Sequence, residues 1–138
     1  MRLQKNTLLA LCSALEFAAE PARALSTAEI ARKYRASPHH LAKVLGRLRR
    51  AGLVSAARGS GGGYRFSGNA KRVTLLDVIA LFERIGAPSK RKALPLEGSI
   101  AQVLAEIDET AKATFGSITL ETMLKLARRP PGARGRAA

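Results

Sequence analysis

Apolar side chains recur at three-and-four spacing in several separate stretches of this chain, a pattern that predicts a mostly helical protein. Over residues 3–19, Leu8, Leu11, Cys12, Leu15 and Ala19 share one predicted face, and Pro21 marks the helix end. Ser26-Thr27-Ala28-Glu29 is a capping-box pattern, in which the Ser hydroxyl and Glu carboxylate satisfy free N–H groups. It opens a short helix over 27–34 that presents Ile30 and Tyr34 on one side. Ser37-Pro38 supplies the next N-cap, with proline at the first helical position. This third helix runs to Ala51 and buries Leu41, Val44, Leu45 and Leu48. Gly52 suits a left-handed position just past its end, with Leu53 packing back on Leu48 in a Schellman motif. Two short helices joined by a tight turn form a helix-turn-helix.

The pattern then changes period. Leu53–Arg58 and Gly63–Phe66 read as two strands around Gly59-Ser60-Gly61-Gly62, a hairpin with a glycine-rich tip. A hairpin directly after a helix-turn-helix is a wing. Thr74-Leu75-Leu76-Asp77 caps a further helix, expected to reach Ile85, with Leu75, Val78, Ile79 and Phe82 apolar. Residues 86–99, with two prolines, read as a connecting loop. An amphipathic helix follows from Ile100 to Phe115, and Thr119 caps a short closing helix through Ala127. The basic tail 128–138 has no core-forming pattern and is expected to be disordered. The expected organisation is therefore a winged helix-turn-helix domain (1–85), the loop (86–99), and the long and closing helices (100–127). No internal repeat is visible.

Charge sharpens this picture. The 138 residues carry 24 Lys+Arg against 10 Asp+Glu, a formal charge of +14. Residues 30–76 hold 11 of the basic residues and no acid, whereas an ordinary solvated face interleaves acids. Such a compact positive field favours a polyanion, nucleic acid before acidic membranes or proteins. One cysteine, Cys12, excludes a disulfide framework and any Cys-only metal site within one chain. No apolar run reaches the roughly 20 residues of a membrane helix, and the N-terminus does not read as a signal peptide, so the expected address is cytoplasm. Aromatics are 4% with no Trp, so the core should be aliphatic.

The third helix carries His39, His40, Lys43, Arg47 and Arg50 opposite its apolar stripe. In a major groove, His39, His40 and Lys43 would reach base edges while Arg47 and Arg50 hold phosphates. The competing reading is a plain solvent face, although no carboxylate lies among these positions to form helical ion pairs. The two histidines point apart and lack partners at metal-ligand spacing. Arg58 and Arg65 flank the wing tip, where an arginine suits a narrow minor groove. Gly59, Ser60, Gly61, Gly62 and Gly63, followed by Tyr64, let the backbone approach a sugar–phosphate rail; the competing reading is a merely flexible hairpin. The run lacks both the Lys-Ser/Thr ending of a P-loop and the third glycine of a dinucleotide fingerprint, since Tyr64 stands there. No set of Ser, His and carboxylate suggests catalysis, so no enzyme is expected. Cys12, among Leu8, Leu11 and Leu15, reads as a buried inert thiol. The stripe Ile100, Val103, Leu104, Ile107 and Ala111 reads as a dimer seam, antiparallel on a second copy with Glu106, Asp108 and Glu109 outward. Packing back on its own chain is the alternative.

Met1-Arg2-Leu3, Ser37 at the helix start, Leu48-Arg49-Arg50-Ala51-Gly52-Leu53-Val54 and Arg58-Gly59-Ser60-Gly61-Gly62-Gly63-Tyr64 together resemble the Rrf-two (IscR/NsrR-like) family of bacterial winged-helix transcription regulators. The resemblance is close over residues 1–85 and looser through Ile118-Thr119-Leu120-Glu121. It implies a homodimer crossed through the long helix, usually a repressor, with Arg58 in the minor groove. Arg2 and Ser37 join the implied DNA-contacting set. His40 and Lys43 look like the recognition pattern of the nitric-oxide-responsive branch. Ala42 stands where the iron–sulfur branch has an acid, so base preference should differ. Many members hold a cluster through three cysteines in the loop before the dimer helix. Here residues 86–99 contain neither Cys nor His, carrying Lys90, Arg91 and Lys92 instead, and Leu8 stands near an N-terminal carboxylate ligand of one branch.

The expected fold is mostly α with a small β-hairpin wing, a winged helix-turn-helix plus a long C-terminal dimerisation helix. The expected function is a homodimeric repressor on a near-palindromic double-stranded DNA site, with no cofactor and no metal. Control by a regulatory protein or small-molecule effector is one alternative, and a non-specific nucleic-acid-binding module is another.

Overall fold

The computed structural model describes residues 2–59, 62–85 and 94–128. Six helices and one hairpin follow in the order α1 (Lys5–Ala19), α2 (Thr27–Tyr34), α3 (Pro38–Arg50), β1 (Val54–Ala56), β2 (Tyr64–Phe66), α4 (Leu75–Ile79), α5 (Glu97–Ser117) and α6 (Leu120–Ala127). α1 is central, packing against α3, α4, α6 and β2. None of the described helices is long and apolar enough to cross a membrane.

The face that α1 buries differs from the expected one. Leu9, Ala10, Ser13, Ala14, Phe17 and Ala18 point inward, Leu8 is half exposed, and Leu11, Cys12 and Leu15 are only partly covered. Nearly every position from Leu8 to Ala18 is apolar or small, so periodicity does not single out one stripe. Packing decides instead. Alanines let neighbouring helices approach closely, and Phe17 fills the space between them. Cys12 is half-buried; burial and then the Glu16 carboxylate push its thiol above the ordinary value.

Local signals set the helix-turn-helix. Ser26 Oγ accepts from the Glu29 amide, and Ser37 Oγ accepts from the His40 amide at 3.4 Å. At the end of α3, Gly52 has φ +80, the Leu53 amide bonds to the Leu48 carbonyl at 3.0 Å, and the Gly52 amide bonds to Arg49 at 2.9 Å. That is the full Schellman pairing. α2 ends in the same style on Arg35, a non-glycine residue at φ 52, ψ 42, where an L side chain costs on the order of 1 kcal/mol. α1 and α2 are clamped by one carboxylate: Glu16 accepts from the Tyr34 hydroxyl at 2.5 Å and pairs with Lys33 at 2.6 Å. Burial raises the Glu16 carboxyl, but those two hydrogen bonds outweigh it and hold the group below its ordinary range. Burial and then Glu16 push the Tyr34 phenol upward.

The wing strands are antiparallel, pairing Val54 with Phe66 and Ala56 with Tyr64. They are shorter than expected because pairing stops after the Ala57 amide meets the Gly63 carbonyl at 2.9 Å. A third segment completes the sheet, since Leu25 and Tyr64 exchange two backbone hydrogen bonds of 2.9 Å. Gly63, at φ +101, lies in that seam, and a Cβ there would sit 2.5 Å from the Leu25 carbonyl oxygen. Its need for glycine is therefore internal to the fold.

α4 ends at Ile79 instead of continuing to Ile85. The Leu81 carbonyl, which a continuing helix would use, accepts from Arg47 Nη1 at 2.8 Å, and Glu83 accepts from the Thr7 hydroxyl at 3.1 Å. Local backbone bonds still run from the Phe82 and Glu83 amides to the Ile79 carbonyl, while the Arg47 bond engages that of Leu81. α5 starts three residues earlier than expected and, at 21 residues, is about 32 Å long. It touches α4 and buries none of its own residues. After α5 the chain returns to the core: the Leu75 amide bonds to the Ile118 carbonyl at 2.8 Å, the Leu120 amide to Val73 at 2.9 Å, and Leu120 is fully buried. α6 then packs on α1.

Replacing Gly63 with Ala should destabilise the protein by at least about 1–2 kcal/mol, because both the positive φ and the Leu25 carbonyl oppose it. A lowered urea midpoint with unchanged slope is the expected reading; an unchanged midpoint would contradict the seam.

Candidate nucleic-acid interface

α3 presents the expected ridge. Its apolar side, Leu41, Val44, Leu45 and Leu48, is buried to 0–2% exposure, which fixes the rotation of the helix about its axis. The opposite side leaves His39, Lys43, Arg47, Arg49 and Arg50 exposed. Among the described residues no ion pair involves α3 or the wing; those present join Glu20 to Arg23, Glu16 to Lys33, Glu109 to Lys112 and Glu121 to Lys125. The positive charge on the ridge is therefore not neutralised within the fold.

The expected residues divide into free and committed side chains. Lys43, Arg50, Arg58 and His39 are exposed and make no side-chain hydrogen bond among the described residues. Arg47 is committed at one end, donating to the Leu81 carbonyl and stacking over the Phe82 ring at 5.2 Å. Arg65 is likewise committed, its Nε donating to the Ala22 carbonyl at 3.1 Å, so it ties the wing to the α1–α2 loop. His40 is half-buried, with Nε2 2.5 Å from Asn6 Oδ1 on α1. Ser37 is occupied as the α3 cap, and Tyr64 is partly buried in the sheet seam, packed against the core. Gly59 and Gly62 adopt positive φ at the wing tip; Ser60 and Gly61 lie outside the described residues, as do Lys90, Arg91, Lys92 and residues 129–138.

Three of these side chains converge. His40, Lys43 and Arg47 line a cavity of about 280 Å³ with Gln4, Asn6, Val44 and Phe82. Arg2 lines an adjoining groove of about 510 Å³ toward Asp108 of α5, with Glu83 and Arg84. Sequence reading missed Asn6, Phe82 and Arg49. Asn6 and Phe82 come from elements distant in sequence and no local pattern marks them, whereas Arg49 was visible as a basic residue of the last α3 turn.

The expected seam on α5 is exposed: Ile100 is 60%, Val103 54%, Leu104 55% and Ile107 54% accessible, and Ala111 is intermediate. Single exposed apolar residues are ordinary, but four along one stripe form a patch that calls for a cover.

The family model described as an iron-dependent transcriptional regulator, Rrf2, matches residues 3–126. The chain is 49% identical over 129 residues to a protein named as the HTH-type transcriptional regulator BadM of Rhodopseudomonas palustris, covering 91% of this chain and 83% of that one. It is similar to CymR, the global cysteine regulator of B. subtilis, with a TM-score of 0.77 and 25% identity over 91% of this chain and 98% of that one. It also shares the fold of T. potens IscR, with a TM-score of 0.68 and 23% identity over 98% of this chain and 96% of that one. Iron held in a cluster needs several thiolates. The donor set here does not fit one: the sole thiol is half-buried on α1, its neighbouring carboxylate Glu16 is engaged by Lys33 and Tyr34, and residues 86–99 contain neither Cys nor His. Among the described residues no three His, Cys, Asp or Glu side chains group as metal ligands. The winged helix-turn-helix, the C-terminal helix and the match across nearly the whole chain lead to one conclusion: this protein belongs to the Rrf2 family of DNA-binding transcriptional regulators.

Proposed function

We propose that this regulator is a homodimeric repressor that occupies a near-palindromic promoter site without an iron–sulfur cluster. The observation that carries this reading is the unneutralised ridge of α3, held outward by a fully buried apolar side. Lys43 and His39, free on its first turns, read base edges, and His40 is steadied by Asn6. Arg50 and Arg2 contact phosphates. Arg58, free at the wing shoulder, enters the minor groove, where its weakly hydrated guanidinium suits the negative potential. Arg47 orients α3 through Leu81 and Phe82 and offers only its remaining N–H groups to phosphate. Arg65 braces the wing base.

A second copy covers the α5 stripe. Two copies related by a two-fold axis present two reading helices, so the site has two half-sites at one helical turn or a multiple of it. Repression then follows from occupying promoter DNA against competing proteins.

Footprinting on DNA from its own upstream region should reveal a protected near-palindrome; uniform protection at all sequences would contradict the reading. Lys43→Ala should change base preference within that footprint by about 1–3 kcal/mol and leave stability within about 0.5 kcal/mol of the parent. Arg47→Ala should instead lose about 1–2 kcal/mol of stability, since an internal hydrogen bond and a stacking contact go together. Denaturant unfolding of the two variants side by side checks the division of roles. Ile107→Glu should sediment as a monomer; a variant that still sediments as a dimer refutes the assigned seam.

A further inference from the structure

Arg35 occupies the turn between α2 and α3 in the left-handed conformation, at φ 52 and ψ 42. Everything the turn asks of this position is backbone. The Arg35 amide bonds to the Arg32 carbonyl at 3.4 Å, and the next amide, Ala36, reaches the Ala31 carbonyl at 2.9 Å. A glycine would serve both bonds without strain. The arginine side chain returns nothing to the chain: it is exposed and makes no hydrogen bond or ion pair among the described residues. A strained residue whose side chain has no internal partner points to a partner outside the fold.

The location says which partner. Arg35 stands two residues before Ser37, the cap of the reading helix, on the acid-free stretch 30–76. Lys33 nearby is already spent on Glu16, so Arg32 and Arg35 supply the free charge of this turn. When a helix-turn-helix docks, its first helix crosses the DNA backbone and its second enters the groove. The segment joining them passes the phosphates at the groove edge. We infer that Arg35 is a phosphate-contacting residue that anchors the α2–α3 turn on the DNA backbone. The inference rests on the DNA-reading role proposed above.

The test uses the full chain, with fluorescence anisotropy on its own upstream DNA and on random-sequence DNA across a salt series. R35G should raise the melting temperature by about 2–4 °C, since the strain is gone. The same variant should weaken binding to both DNAs by the same factor, roughly tenfold at about 100 mM salt. It should also flatten the slope of log affinity against log salt by about one for each Arg35 engaged, about two for a dimer. R35K, which keeps the charge, should keep the parent slope. Unchanged affinity and slope in R35G would overturn the inference. So would a loss confined to the upstream DNA, which would make Arg35 a base reader, or a lower melting temperature, which would place its side chain in the fold. A parent protein that binds neither DNA would overturn the DNA-reading role itself, and is told apart from these because it appears before any substitution is made.

Discussion

The fold depends on the small-residue face of α1. Ala10, Ser13, Ala14 and Ala18 offer little bulk, so α3, α4 and α6 converge on one helix, with Phe17 filling the space among them. Enlarging any of these alanines would push apart helices that carry the ridge, the α5 connection and the chain's return. Tertiary bonds from α1 add direction to this packing: Thr7 to Glu83 in the segment after α4, and Asn6 to His40 on α3. α1 thus positions the reading helix without being part of the basic ridge.

Basic residues in this protein perform two distinct physical jobs. Lys33, Arg47 and Arg65 are consumed by the fold, pairing with Glu16, the Leu81 carbonyl and the Ala22 carbonyl. Lys43, Arg50 and Arg58 remain exposed without internal partners. The first group ties α1 to α2, α3 to the segment after α4, and the wing to the α1–α2 loop, and the second keeps its side chains free for an external polyanion. A single count of positive charge merges these roles: the ion pair with Glu16 offsets the charge of Lys33, and Arg47 and Arg65 keep their charge but not their freedom to move toward a phosphate.

Much of this architecture is legible in the sequence because it rests on local rules. Ser26, Ser37, Thr74 and Thr119 each cap a helix, although the reciprocal bond expected of the Glu29 carboxylate is not made and the two-way box forms at Thr74 and Asp77 instead. Gly52 closes α3 with the expected Schellman bonds. The amphipathic α3 also turns its predicted side inward, since its polar and apolar halves are sharply divided. What sequence reading misses depends on partners far along the chain. The buried face of α1 is ambiguous because Leu8 through Ala18 are apolar nearly all round. After α4 the chain is engaged by Arg47 on the Leu81 carbonyl and by Thr7 on the Glu83 carboxylate, 34 and 76 residues away, which no local pattern shows. Arg47 and Arg65 look like DNA contacts by spacing, yet the fold engages both. Gly63 reads as one of the glycines that let the backbone approach a sugar–phosphate rail, whereas its close contact with Leu25 turns that face of it toward the chain's own backbone.

The measurement that bears most directly on a sequence-reading regulator is a paired equilibrium titration of the parent protein. Its own upstream DNA and random-sequence DNA would be followed by anisotropy from low to moderate salt. Loss of phosphate contacts with salt weakens both, but base contacts persist, so the account predicts a preference of roughly 10³-fold or more that survives at higher salt with two chains per site. Equal affinities that vanish together as salt rises would contradict it and leave a charge-driven binder of nucleic acid.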